Sequence, residues 1–282
     1  MNLENKTLFL KVKDHSVSQE MFELYYYESL DMLITHPQPG ANNLGKYYES
    51  DDYISHTDGK RTIFEKLYHF IKNIALKSKL KLINDYSESK GILLDIGAGT
   101  GDFLFAAKQN GWKTIGVEPS QKAKDIAQKK GINFINSTSE LDNNSFDVIT
   151  MWHVLEHVPD LESQIQELKR LLKPNGTVFV AVPNFKSYDA NYYGKFWAAY
   201  DVPIHFWHFS KTTIKLLFEK QEMKLKKVLP MKFDAFYVAL LSEKYKTGKM
   251  NFIRAFLVGL NSNYKAKSNF EYSSHIYVIK ND

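Results

Sequence analysis

Three alternating glycines, Gly97, Gly99 and Gly101, follow the continuous apolar run Ile92 to Ile96 and precede a helical pattern that starts near Asp102. Glycines so spaced let a backbone turn tightly and approach a ligand without Cβ collisions, while the first helical N–H groups remain available to it. The dinucleotide fingerprint would need glycine where Asp102 stands, and a carboxylate beside a pyrophosphate is repulsive. The phosphate-cradling loop of nucleotide hydrolases needs a Lys-Ser/Thr pair that does not follow Gly101. A ligand with an adenosine ribose, no phosphate and a positive centre fits this turn better. Glu118, at the end of the next apolar run, can accept hydrogen bonds from both hydroxyls of a ribose. Pro119 then stops the strand, and Ser120 suits a helix N-cap. The plainer readings are glycines kept for packing and a Glu118 kept for a structural ion pair.

A second group of residues could move a proton. Histidine titrates near neutral pH and is the natural general base for a hydroxyl acceptor. His153 and His157 stand four apart in WHVLEHV, and no third ligand in the sequence joins them, so no metal is expected. His157 reads either as part of a pocket or as a buried, hydrogen-bonded ring. Residues 185–209 hold ten aromatic side chains together with Asp201, His205 and His208. So aromatic a stretch is not a solvated loop. It is expected to wall an acceptor site, with Tyr193, Trp197, Tyr200 and His208 as substrate contacts, His205 as first choice of base, and Asp201 as its partner. The competing reading is an aromatic plug that completes a core.

These residues need a frame. From Gly91 onward, apolar strands alternate with helices: strands at Ile92 to Ile96, Thr114 to Val117, Asn133 to Ile135, Phe146 to Met151 and Thr177 to Val182, with helices between. This predicts an α/β fold with a doubly wound, mostly parallel sheet covered on both faces. A helix from Ser210 to Lys220 and strands at Lys224 to Leu229 and His275 to Ile279 close it. Short strands at Thr7 to Val12, Phe22 to Tyr27 and Met32 to Thr35 read as a small N-terminal β-appendage within residues 1–60, and an amphipathic helix from Arg61 to Leu76 leads into the main domain, 61–282. Two insertions interrupt that domain, the aromatic one at 184–209 and a helical pair at 231–270. The pair has three candidate roles: a lid on the sheet, a homodimer interface, or a dock for membrane or lipid.

Composition removes other classes. The chain has no cysteine, which excludes disulfides, thiol nucleophiles and cysteine-bound metals. No apolar run approaches a membrane span, so a cytoplasmic protein is expected. The net charge of +5 is concentrated in residues 211–282, which carry 14 basic against 6 acidic residues. Only three of the 37 basic residues are arginine, so a sequence-specific nucleic-acid reader is not expected.

Taken together, LLDIGAGTGDF (93–103), GVEPS (116–120), FDVITMWHVLEHVPD (146–160) and LLKPNGTVFVAVPN (171–184) resemble, in order, the motifs of class I S-adenosylmethionine-dependent methyltransferases. The resemblance covers roughly residues 61–229. It implies a Rossmann-like sheet of seven strands with an antiparallel last strand, and S-adenosylmethionine as cofactor. It also implies that Gly97, Gly99 and Gly101 face the methionine part, with Asp95, Ala98, Thr100 and Pro119 in the same site, that Glu118 binds ribose, and that Trp152 and His153 lie near the cofactor. Many relatives carry an acidic residue after the third strand of the sheet to hold adenine. This chain has Asn136-Ser137-Thr138-Ser139 there, which leaves Thr138 or backbone for the contact. In resembling enzymes the N-terminal region folds over the cofactor, making Tyr48 and Tyr53 candidate contacts. The implied activity is methyl transfer to oxygen or nitrogen of a small aromatic or lipophilic acceptor. The rivals are a non-catalytic cofactor-binding module, a nucleotide-dependent oxidoreductase and a nucleic-acid methyltransferase.

Overall fold

The computed structural model describes residues 5–48 and 63–281, excepting the side chains of 41, 42, 48 and 63–71. The chain begins with β1 (Lys6–Lys13), β2 (Met21–Tyr27), β3 (Met32–His36) and one turn of helix, α1 (Ala41–Leu44). Helix α2 (Ile63–Asp85) extends well past the expected end at Leu76. Then follow β4 (Ile92–Ile96), α3 (Asp102–Gln109), β5 (Lys113–Val117), α4 (Gln121–Gln128), β6 (Phe134–Ile135), β7 (Phe146–Trp152), α5 (Leu161–Leu171) and β8 (Leu172–Pro183). The remainder is α6 (Tyr188–Tyr193), β9 (Trp207–His208), α7 (Lys211–Glu219), β10 (Met223–Pro230), α8 (Asp234–Thr247), α9 (Phe252–Asn269) and β11 (Ser274–Asn281).

Seven strands form one sheet in the order β10-β11-β8-β7-β4-β5-β6, and β11 runs antiparallel to both β8 and β10. Its central strands are apolar because helices cover both faces: Leu93, Leu94, Val148, Ile149, Val178 and Val180 are all fully buried. From β4 the chain winds outward through β5 and β6, then returns to build β7 and β8 on the other side. The order therefore reverses at β4, and the crevice at its carboxyl end is where such sheets bind ligands. Strand β8 starts earlier than the expected Thr177, because Leu172 already pairs with Phe146 before the register shifts.

The N-terminal strands do not stand alone. Their sheet has the order β1-β2-β3-β9, so its fourth strand comes from the aromatic insertion, with Leu33 paired to His208 and Ile34 to Trp207. Below it lies a second core that joins Val12, Phe22 and Leu24 to Trp197 and Tyr200 and to Ala239 and Ala255 of the helical pair. The described N-terminal strands, residues 184–209 and the helical pair within 231–270, read in sequence as three separate additions, thus share one apolar centre. Among the described residues, no helix is long and apolar enough to cross a membrane.

Candidate active site

The glycine turn sits at the switch point. Gly97, Gly99 and Gly101 all take positive φ, at 72°, 53° and 74°. A Cβ on Gly97 would lie 2.4 Å from Val154 Cγ2, and one on Gly101 would lie 2.7 Å from Ala127 Cβ, so these two are glycine because protein packs against them. Among the described residues, a Cβ at Gly99 would meet nothing within 4 Å. The turn therefore opens onto free space at its middle glycine. The N–H groups of Gly97 and Ala98 both donate to the Val117 carbonyl, at 2.8 and 3.1 Å, which ties the turn to the end of β5.

Glu118 has two partners already. Its Oε2 accepts from the Gly99 N–H at 2.8 Å and its Oε1 from the Ser120 N–H at 2.9 Å. A carboxylate has about four acceptor positions, so two remain for a ribose beside it. Ser120 caps α4 as expected, accepting from the Ala123 N–H. Pro119 next to it is exposed.

Asp102 does not present a free charge to the turn. Lys130 approaches one oxygen at 2.5 Å and Lys72 the other at 2.6 Å, and together they hold its carboxyl below the usual range against the upward push of burial. The repulsion argument that set Asp102 against a pyrophosphate therefore loses its force, because two lysines neutralise it. The Thr100 hydroxyl is also taken, donating to Asp102 at 3.1 Å.

Asp95, at the end of β4, is buried, and burial pushes its pKa up to about 7 while the Thr150 hydroxyl, donating at 2.6 Å, and the Lys79 ammonium pull it down. Lys79 comes from α2. Its ammonium lies 4.3 Å from the centre of the Trp152 ring, and burial lowers its pKa against the opposing pull of Asp95 and Asp234. Trp152 also packs edge-on to Phe103, and its buried Nε1 has no hydrogen-bond partner among the described residues.

His153 follows β7 in the left-handed region, at φ 58°. Its Nε2 lies 3.1 Å from Asp234 Oδ2 and its Nδ1 3.4 Å from Glu156 Oε1. Burial opposes its charge, but the nearby Asp234 and Glu156 carboxylates outweigh it and raise the pKa to about 10. The ring is a cation at neutral pH. Among the described residues neither oxygen of the buried Glu156 finds a hydrogen-bond donor in bonding geometry, so His153 supplies its compensating charge.

His157 and His205 meet edge to face, with ring centres 4.6 Å apart. The Nδ1 of His157 lies 3.1 Å from the Ile204 carbonyl and that of His205 2.9 Å from the Ala199 carbonyl. A carbonyl only accepts, so both rings carry their proton on Nδ1 and keep Nε2 as the basic atom. Burial lowers both pKa values, that of His205 strongly, with the neighbouring histidines adding to the effect. His205 is only 7% exposed, whereas His157 is half-buried. Asp201 lies 3.9 Å from His205 Nε2, beyond a hydrogen bond, and burial raises its pKa to about 7. Glu156, His157 and His205 could each turn one ligand atom on a cation, those atoms lying within 4.8 Å of one another. Sequence spacing could not bring His205 to that group, since it arrives from the distant insertion.

The aromatic residues expected to touch substrate are core residues. Tyr193, Trp197 and Tyr200 are at most 3% exposed. The Tyr193 hydroxyl donates to Glu243 and the Trp197 indole to Asp189. The rings pack against the N-terminal sheet and α8. His208 is also buried, bonded to the Thr35 hydroxyl at 3.0 Å, and its pKa falls to about 3. Thr138 leans on Glu167, and its carbonyl accepts from Arg170 at 3.2 Å. The side chain of Tyr48 and all of Tyr53 lie outside the described residues. Two site residues escaped sequence reading. Lys79 fell beyond the expected end of α2, and Asp234 lies in the helical pair, where the sequence offered no sign that it meets His153.

Comparison with known proteins agrees with this geometry. A family model described as a methyltransferase domain matches residues 67–227, more than half of the chain. The ubiquinone biosynthesis O-methyltransferase of Pelagibacter ubique is 30% identical over 180 residues, covering 59% of this chain and 73% of that protein. The protein of the same name from Coxiella burnetii is 34% identical over 122 residues, and the match spans 39% of this chain but only 52% of that relative. Among solved structures, magnesium protoporphyrin IX methyltransferase from Synechocystis PCC 6803 aligns with a TM-score of 0.56 at 13% identity, covering 84% of this chain and 97% of that one, a likeness of fold. With the family's motifs standing at the switch point of a seven-stranded sheet, this chain belongs to the class I S-adenosylmethionine-dependent methyltransferases.

Proposed function

We propose that the protein transfers the methyl group of S-adenosylmethionine to an oxygen of a small aromatic or lipophilic acceptor. The observation that carries this reading is the turn at Gly97–Gly101, which opens onto free space at Gly99 beside Glu118, Asp95 and Lys79. The groups suit the cofactor: a carboxylate with acceptor positions left for ribose hydroxyls, an ammonium for a carboxylate, and acidic groups for an amine and a sulfonium. Trp152 Nε1, without a hydrogen-bond partner among the described residues, lies at the same crevice. When bound, S-adenosylmethionine supplies an electrophilic methyl group and a neutral leaving sulfide.

The work left to the chain is alignment, exclusion of water and removal of one proton. A hydroxyl acceptor needs a base that is neutral at working pH, and His157 and His205 both are. Exposure reverses their expected order: His157 is the more exposed of the two rings and so the first candidate base, while His205 packs edge-on behind it with Asp201 3.9 Å from its Nε2. Tyr193, Trp197, Tyr200 and His208 act from behind, fixing the position of that wall. Oxygen is preferred over nitrogen because both curated relatives carry O-methyltransferase names, and neutral histidines suit a phenol-like hydroxyl.

Calorimetric titration with S-adenosylmethionine and S-adenosylhomocysteine, followed by a mass-spectrometric screen of catechol, phenol and amine acceptors, tests the proposal. Micromolar binding and a 14-dalton gain on a hydroxyl acceptor are expected. Binding without turnover on any acceptor class would reduce the protein to a cofactor-binding module.

A further inference from the structure

Helices α8 and α9 pack through small residues. Gly259 admits the Phe236 ring so closely that a Cβ there would lie 2.7 Å from Phe236 Cδ1, and Ala255, Ser262 and Ala266 are buried beside it. The large side chains of α9 turn the other way. Ile253, Phe256, Leu257, Leu260 and Tyr264 are 77, 57, 57, 50 and 69% exposed. At 3.6 residues per turn they fall within an arc of about 100°, along a helix about 27 Å long. An apolar stripe of this extent on a folded surface marks a partner.

The charges around the stripe identify that partner. Residues 231–270 contain seven basic and two acidic residues. Both acids point inward: Glu243 is fully buried against Tyr193, and Asp234 holds His153. The exposed charges of the pair are therefore all positive, among them Lys246, Lys249, Arg254, Lys265 and Lys267. Aromatic rings steady several of these near the stripe, Lys265 lying 4.2 Å from the centre of Tyr188 and Lys267 5.6 Å from that of Tyr264. A second copy of the chain would set like charge against like. An anionic bilayer offers negative headgroups and, a few ångströms deeper, an apolar layer.

We propose that α9 is a peripheral membrane dock, lying in the plane of an anionic bilayer with its apolar stripe in the acyl boundary and its lysines at the lipid phosphates. This does not rest on the methyl-transfer reading, since it concerns a face that the glycine turn does not share. The test is co-sedimentation of the full chain with vesicles of phosphatidylcholine alone and with about a third phosphatidylglycerol. Binding to the anionic vesicles is expected, weaker on the order of tenfold on neutral ones and falling several-fold in about 0.5 M salt. Ile253→Glu combined with Leu257→Glu should lower binding at least about tenfold, by placing two charges in the apolar layer, with melting temperature and S-adenosylmethionine affinity unchanged. Lys265→Glu with Lys267→Glu, which leaves the stripe intact, should weaken only the binding to anionic vesicles. The proposal is overturned if the wild-type chain ignores anionic vesicles or if both double variants bind them as it does. It is equally overturned if light scattering shows a dimer that Leu257→Glu dissociates while vesicles capture nothing, which would give the stripe to a second copy.

Discussion

Asp234→Asn tests the electrostatic frame of the site. In the wild type His153 has its pKa raised to about 10, burial opposing and Asp234 and Glu156 prevailing. A group whose folded pKa is raised stabilises the fold fully below its unfolded value, near 6.5, and loses that contribution as pH climbs through about 10. The full shift would correspond to about 5 kcal/mol at 1.36 kcal/mol per unit, but the ring keeps 35% of its surface exposed and shares its charge between two acids. Discounting for both, the Asp234 contact at 3.1 Å is worth about 1–2 kcal/mol near pH 6. Urea unfolding of wild type and variant at pH 6, 8 and 10 should show that penalty whole at pH 6, little changed at pH 8 and much reduced at pH 10. In a His153→Gln background the penalty should nearly vanish at every pH. A penalty that stays constant from pH 6 to 10, or survives the loss of His153, would refute the reasoning and make Asp234 an ordinary helix-terminal residue.

The glycines of the turn should separate by role. Gly97→Ala, forced against Val154, should cost about 2 kcal/mol or more of stability in denaturant titration, whereas Gly99→Val should fold with about 1–2 kcal/mol of backbone strain and lose cofactor binding in calorimetry. Glu118→Gln leaves one acceptor oxygen where two are in use and turns an NH2 donor towards one of the two backbone N–H groups, so cofactor affinity and thermal stability should fall together, each by about 1–2 kcal/mol. His157→Gln should lower turnover on a hydroxyl acceptor about 10²-fold or more at unchanged cofactor affinity, measured in single-turnover assays, and equal loss of affinity would return His157 to a packing role.

The main sheet was legible because strands buried on both faces read as continuous apolar runs: β4 was expected at Ile92 to Ile96 and lies there. What depended on distant partners was not. Strand β9 has two residues and exists through its pairing with β3, so nothing local announces it. The apolar spacing of α9 was plain, but periodicity cannot say which face meets the core, and Gly259 with its small neighbours took the inside while Ile253 and Leu257 went out. At the site, the glycine turn and Glu118 could be located from spacing. Their division of labour could not, because it depends on Val154 and Ala127 behind two glycines and on two N–H groups already resting on Glu118.

The ladder between β3 and β9 joins Leu33 to His208, residues 175 positions apart in the chain. Closing so long a loop is entropically expensive, so this part of the molecule should order late, after the parallel sheet that it borders has formed. The same ladder makes the position of one region depend on the other. Strands β1 to β3, within residues 6–36, form the sheet on which the segment bearing His205 is laid, with the Thr35 hydroxyl donating to the His205 carbonyl at 2.6 Å. Exchanging the N-terminal strands between relatives should therefore retune acceptor preference without touching the cofactor crevice, making this appendage a heritable dial for specificity.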